Sequence, residues 1–135
     1  MFFLKKAYCR VFQIGFRAVL PVLPYREPEI IRSCADLSPV LEKEHAHTIL
    51  VVTDRGIVEN GLTAPLEAAL RDAGANYAVY DKTQPNPTVD QVEEALELYH
   101  QRQCTAIIAI GGGSSMDCAK AAACASRTRT SRSRA

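Results

Sequence analysis

The sequence predicts an α/β fold, an open and doubly wound parallel sheet, and three observations carry that expectation. Residues 48–53 (TILVVT), 76–80 (NYAVY) and 105–110 (TAIIAI) are short apolar runs. The first and last are almost continuously apolar and rich in β-branched residues, as strands covered on both faces are. Amphipathic helical patterns lie between the runs, and the third run ends in three glycines that lead into another helical pattern. Strand and helix alternate, and right-handed crossovers make such an order a parallel sheet with helices on both faces.

Residues 1–26 read as an amphipathic helix closed by Pro21 and Pro24. They carry Lys5, Lys6, Arg10, Arg17 and Arg26 but no acid. Arg17 interrupts the apolar run and no small-x-small cleavage site follows, which argues against a signal peptide. The uncharged stretches are too short to span a bilayer. This segment is expected to pack against its own protein or a subunit partner, with no membrane as partner. A helix is expected over residues 36–44, with Leu37, Val40 and Leu41 inward. After the first strand, Leu62, Leu66, Ala69, Leu70 and Ala73 share a helical face, and Gly74 stands where a left-handed cap is wanted. After the second strand, Thr88 and Gln91 have the spacing of a capping box behind Pro87, with Val89, Val92, Leu96 and Tyr99 forming the stripe. The last helix is expected from Ser114 to Ala125 through an alanine-rich stretch. Residues 126–135 (SRTRTSRSRA) hold nothing able to fill a core and are expected to be a disordered basic tail. The expected organisation is thus an N-terminal segment over 1–26, an α/β domain over 27–125 and the tail.

A chain of 135 residues has room for one domain. Its 47% hydrophobic and 23% charged content is that of an ordinary globular protein. The net charge of +1 conceals an asymmetry, because both ends are basic and the stretch over 27–126 sets seven bases against all fifteen acids. A negative middle argues against a nucleic-acid-binding core, which needs clustered cations. The five cysteines are scattered and form no C-x-x-C pair, so free thiols in the cytoplasm are expected.

The chemistry concentrates in residues 107–120, IIAIGGGSSMDCAK. A buried strand running into Gly111, Gly112 and Gly113, then into a helix opened by Ser114, builds an anion site. Glycines let the backbone approach a phosphate, and the first-turn amides point at it with the positive end of the helix dipole. The carboxyl end of a strand is also where ligands of open α/β sheets bind. The G-x-G-x-x-G fingerprint is not met, because Met116 stands where its third glycine would be, and no G-K-S/T follows for a Walker A loop. A carboxylate at Asp117 would occupy the third helical position and cap Ser114. Asp54 ends the first strand before Arg55 and Gly56, in a position open to a turn-forming role. Asn86 between Pro85 and Pro87 makes a rigid loop.

The segment GGGSSMDCAK with its preceding IIAI, PNPT at residues 85–88, VTDRG at 52–56 and LPYREP at 23–28 together resemble the iron-dependent alcohol dehydrogenase family, in order and spacing. The resemblance covers roughly residues 20–125. It implies the Rossmann-like nucleotide-binding domain of a dehydroquinate synthase-like fold. It further implies that Gly111, Gly112, Gly113 and Ser114 bind the pyrophosphate of NAD, with Asp117 completing the site and Asn86 near the cofactor. Asp54 matches the acid that bonds the adenosine ribose. A carboxylate there accepts from two hydroxyls and repels a 2′-phosphate, so NAD is expected over NADP.

In the family a separate helical domain supplies one aspartate and three histidines for iron or another divalent metal, which polarises the alcohol oxygen as a Lewis acid. No such set stands in this sequence. His45, His47 and His100 form no H-x-x-x-H pair and read as surface histidines. The expected role is therefore the cofactor half of an oxidoreductase interconverting a small-molecule alcohol and an aldehyde or ketone, inactive alone, with a homo-oligomer among its expected states. The alternative is a non-catalytic nucleotide-binding module or partner subunit. Glycerol dehydrogenase and dehydroquinate synthase have similar glycine motifs, but LPYREP and PNPT favour the alcohol dehydrogenases.

Overall fold

The computed structural model describes the backbone of residues 28–132 and the side chains of residues 28–127. The helix expected over residues 1–26 lies outside the described residues. The chain divides into two units, Met1–Ile30 and Ile31–Ala135. Of the first only Pro28, Glu29 and Ile30 are described, and they are exposed and irregular.

The second unit is the expected doubly wound α/β fold. A 3-10 turn, Cys34–Asp36, leads into α1 (Leu37–Lys43). Then follow β1 (Thr48–Val52), α2 (Arg55–Glu59), α3 (Ala64–Asp72), β2 (Asn76–Tyr80), α4 (Val89–Gln101), β3 (Ala106–Ala109) and α5 (Gly113–Arg132). The sheet has the order β2-β1-β3 and both pairings are parallel, so Val52 is level with Tyr80 on one side and Ala109 on the other.

β1 is the central strand, and Ile49, Leu50, Val51 and Val52 are all fully buried. Alternation sends them to opposite faces. Leu50 and Val52 pack with Tyr80, Ala95, Cys118, Ala119 and Ala122, beneath α4 and α5. Ile49 and Val51 pack with Leu41, Ala46, Leu66 and Leu70, beneath α1 and α3. Full burial of each such aliphatic side chain contributes about 1.5–3 kcal/mol. β3 is half-buried along its whole length.

The helix ends show where local chemistry overrode the pattern. α3 begins only at Ala64, with Pro65 in its first turn, so Leu62 lies before the helix and is 55% exposed. Its other end is the expected left-handed cap. Gly74 has φ 68 and its amide donates to the Arg71 carbonyl at 3.0 Å, while Ala75 donates to Leu70 at 2.9 Å. At α4, Thr88 Oγ1 accepts from the Gln91 amide at 3.4 Å as a cap should. The reciprocal arm goes elsewhere: Gln91 Nε2 donates to the Lys82 carbonyl and Gln91 Oε1 accepts from the Gln84 amide. Val89, expected on the inner stripe, is exposed, and Ala95 and Leu96 take the buried positions.

Two corrections concern α5. The Met116 amide donates to the Gly112 carbonyl, so the helix starts at Gly113 rather than Ser114. The backbone also remains helical to Arg132, through residues expected to be disordered. Arg127, Arg129 and Arg132 are strong helix formers among weaker serines and threonines, and a helix already nucleated by the alanines before them adds each further bond cheaply.

Candidate functional site

β1 passes through α3 to β2 on one flank, and β2 passes through α4 to β3 on the other. The strand order therefore reverses between β1 and β3, and a crevice opens at their carboxyl ends, the place where open α/β sheets bind ligands. Three segments meet there: Thr53 to Gly56 after β1, Lys82 to Pro85 after β2, and Gly111 to Ser115 after β3.

Asp54 anchors the first segment. Its backbone is extended, and Oδ1 accepts from the Ile57 amide at 3.1 Å, making Asp54 the N-cap of α2. This short helix has too few residues for an apolar stripe, so the pattern gave no sign of it. The backbone of Asp54 also forms an isolated antiparallel β-bridge with that of Lys82. The Thr53 amide donates to Tyr80 at 2.8 Å and the Thr83 amide to Thr53 at 3.4 Å. The Gln91 side chain grips the same second segment from α4. Tyr80 donates to Glu94 at 3.3 Å, and burial, followed by the Glu94 carboxylate, raises its pKa. Lys82 Nζ lies 3.6 Å from the same carboxylate oxygen.

The glycine turn supplies the opposite wall. Gly111 has φ 130, a conformation that side chains other than hydrogen rarely adopt. A β-carbon built there would stand 3.0 Å from Ser115 Oγ and 3.1 Å from Asp54 Oδ2. Apart from the adjoining backbone, no atom of the described residues lies within 4 Å of the corresponding point on Gly112 or Gly113. The amides of Gly113, Ser114 and Ser115 precede the first hydrogen bond of α5, so they are among the donors a helix leaves unsatisfied. Between the walls is an open cleft of about 440 Å³, lined among others by Asp54, Thr83, Gln84, Pro85, Gly112 and Ser114. Beneath it, Thr53 Oγ1 and Ser115 Oγ are buried without a hydrogen-bond partner among the described residues.

Of the residues singled out from sequence, Asp54, Gly112 and Ser114 line this cleft, Gly111 backs it and Gly113 opens the helix. Asn86 and Asp117 do not line it. Asn86 is exposed on the following loop with φ 57. Asp117 is exposed, and with α5 starting at Gly113 it is the fifth helical residue, too far along to cap Ser114. Thr83 and Ser115 were missed. For Ser115 a signal existed: with Cys118, Ala119 and Ala122 it has helical spacing, and all four are buried.

His45, His47 and His100 are exposed. Among the described residues no group of three His, Cys, Asp or Glu side chains could hold a metal ion, and no helix is long and apolar enough to cross a membrane. None of the four described cysteines is in a disulfide.

The fold and the placement of this crevice are those of a doubly wound α/β domain with its ligand site at the switch point. The family model for iron-containing alcohol dehydrogenase matches residues 31–134, and the chain belongs to that family. It is 46% identical over 72 residues to choline dehydrogenase of Bacillus subtilis (strain 168), covering 53% of this chain and 18% of that protein. It is 36% identical over 94 residues to the long-chain primary alcohol dehydrogenase AdhA of Thermoanaerobacter ethanolicus, covering 69% of this chain and 24% of that one. The chain thus spans less than a quarter of the length of these two curated relatives. Among solved structures, a 1,3-propanediol oxidoreductase superposes with TM-score 0.62 at 31% identity, over 64% of this chain and 23% of its own. A sulfoacetaldehyde reductase from Bifidobacterium kashiwanohense, solved in complex with NAD+, superposes with TM-score 0.61 at 29% identity, over 73% of this chain and 27% of its own.

Proposed function

We propose that this chain holds NAD for an oxidoreductase that interconverts an alcohol with an aldehyde or ketone. The observation that carries the reading is the bare glycine turn at the end of β3, facing Asp54 across an open cleft. The described residues fit the group. Gly112 and Gly113 present backbone that a phosphate can approach without meeting a side chain. The amides of Gly113, Ser114 and Ser115, with the Ser114 hydroxyl, would hold the diphosphate at the positive end of a long helix. Asp54 would accept from the adenosine ribose and repel a 2′-phosphate. Bound NAD supplies a hydride-accepting nicotinamide. The family's name, and the NAD+ complex of one structural relative, support the assignment.

Iron is a different matter. The described residues offer no cluster fit for a metal, so no step is assigned to one, and the role proposed for these residues is to bind and orient the dinucleotide. Isothermal titration calorimetry of the full chain tests this. The expected result is saturable binding of NAD and of ADP-ribose, with NADP at least about tenfold weaker, the effect of about 1.4 kcal/mol of charge repulsion. No heat with either NAD or ADP-ribose sinks the proposal.

A further inference from the structure

We infer that Ser115 is a positioning residue for the ribose end of the site, acting through Asp54: its hydroxyl donates to Oδ2 and holds that carboxylate toward the ligand. The inference rests on the nucleotide reading above and adds a residue to it.

Ser115 Oγ is buried and without a hydrogen-bond partner among the described residues. A buried hydroxyl left in that condition calls for an explanation. The Asp54 carboxylate, on the far side of Gly111, supplies one. Ser115 Oγ and Asp54 Oδ2 stand 3.0 and 3.1 Å from the same point above the Gly111 α-carbon, which puts them within about 6 Å of each other. No side chain occupies that point, because residue 111 is glycine. The Ser115 hydroxyl can turn between staggered wells while Asp54 Oδ1 keeps its bond to the Ile57 amide.

The two oxygens of Asp54 are not equivalent. Oδ1 accepts from the Ile57 amide. The neighbouring Arg55 directs its Nε to Glu59 at 2.8 Å. Among the described residues Oδ2 is thus the oxygen without such a bond. A carboxylate oxygen accepts more than once, so Oδ2 can take the Ser115 hydroxyl from below and a ribose hydroxyl from the cleft. Charge-assisted bonds of this kind are the short and directional ones. Ser115 is well suited to the task because it sits on the buried face of α5 with Cys118, Ala119 and Ala122.

A double-mutant cycle read by calorimetry tests the inference, with NAD and NADP titrated into the wild-type chain, Ser115→Ala, Asp54→Asn and the double variant. Ser115→Ala is expected to lower the NAD-to-NADP affinity ratio about tenfold, the worth of a hydrogen bond to a charged group. In the Asp54→Asn background the same change should move the ratio less than about twofold. Ser115→Cys preserves volume but is a poor donor, so it should follow Ser115→Ala, and it carries the test if the alanine variant melts early. An unchanged ratio in both single Ser115 variants overturns the inference while leaving the nucleotide site standing. Equal losses in both backgrounds overturn it too, because Ser115 would then act without Asp54. A wild-type chain that binds neither dinucleotide overturns the nucleotide reading itself, and this inference with it.

Discussion

Asp54 and Gly111 face one another across the switch point of the sheet, with Asp54 Oδ2 3.1 Å from where a β-carbon on Gly111 would stand. One residue closes β1 and the other follows β3, and the parallel pairing of Val52 with Ala109 keeps them level. A side chain at residue 111 would collide with the carboxylate and with Ser115, in a backbone conformation already unfavourable for it.

Gly111→Ala and Gly112→Ala should therefore part company. The first is expected to lower stability by about 1–3 kcal/mol from backbone strain. Gly112 has open space around it and no left-handed φ, so Gly112→Ala should leave stability within about 0.5 kcal/mol. It should nevertheless weaken NAD binding by about tenfold or more, since its methyl group enters the path of the phosphate. Urea melts and calorimetry on the two variants check both halves, and a Gly112→Ala protein that binds NAD like wild type refutes the second.

Asp54→Asn and Asp54→Ala separate the capping role from recognition. Asparagine caps as well as aspartate, whereas alanine should cost about 1 kcal/mol through the lost bond to Ile57. Both should narrow the preference for NAD over NADP, because both remove the charge that repels a 2′-phosphate. Paired melting curves and dinucleotide titrations read the two effects separately.

Gln91→Ala should loosen the second wall without unwinding α4. Thr88 still caps the helix, while the fork from Gln91 to Lys82 and Gln84 is lost. Amide hydrogen exchange at Gln84 is expected to speed up, with a global stability loss of about 0.5–1.5 kcal/mol.

At Tyr77 the expectation concerns pH. Tyr77 donates to Glu67 at 2.9 Å and accepts from Arg71 at 3.2 Å. Hydrogen bonds from Thr63 and Tyr77, and then the Arg71 charge, lower the Glu67 pKa below its usual 4.5. A carboxyl lowered on folding contributes stability above its unfolded pKa and loses it as pH falls through the folded one. The Tyr77 hydroxyl is raised above 10, chiefly by Glu67, so its share is present below pH 10 and lost above. Tyr77→Phe should thus be less stable than wild type by about 1 kcal/mol at pH 7. The gap should close as pH falls from 4.5 through the folded Glu67 pKa, and again as pH rises from 10 through that of Tyr77. Denaturant midpoints across that range measure it.

The thiols should divide by burial. Burial raises both the Cys104 and Cys118 pKa, with the Thr83 hydroxyl partly opposing it at Cys118. Cys34 and Cys124 are exposed. Iodoacetamide at pH 8 followed by peptide mass spectrometry should label Cys34 and Cys124 promptly and the buried pair only after denaturation, since the thiolate is the reacting form.

Residues 48–53 were legible because they are apolar on both faces, and β1 is buried on both; the same pattern at 105–110 marked a strand but not its cover, since β3 is only half-buried. Gly74 and Thr88 were legible because a left-handed cap and an N-cap each demand a particular kind of residue. Leu62 misled because hydrophobic spacing takes no account of where proline lets a helix begin. The basic tail misled in the opposite sense, since lacking core residues does not prevent a helix that already exists from continuing. Within the site, Asp54 and the glycines could be read from local chemistry. Ser115 could not be given a role that way, because its meaning depends on Asp54, which only the sheet brings near.

The central position of β1 has a consequence for how the crevice arises. Among the described residues β2 and β3 do not pair with each other, and each joins only β1. A folding species with a single crossover in place has at most one wall of the crevice. Such non-local parallel pairings form slowly, so nucleotide affinity should return late in refolding, in step with the last strand to dock. Ligand free energy then adds to the stability of the entire sheet by mass action, and a dinucleotide would shift the global melting transition instead of merely quieting a loop.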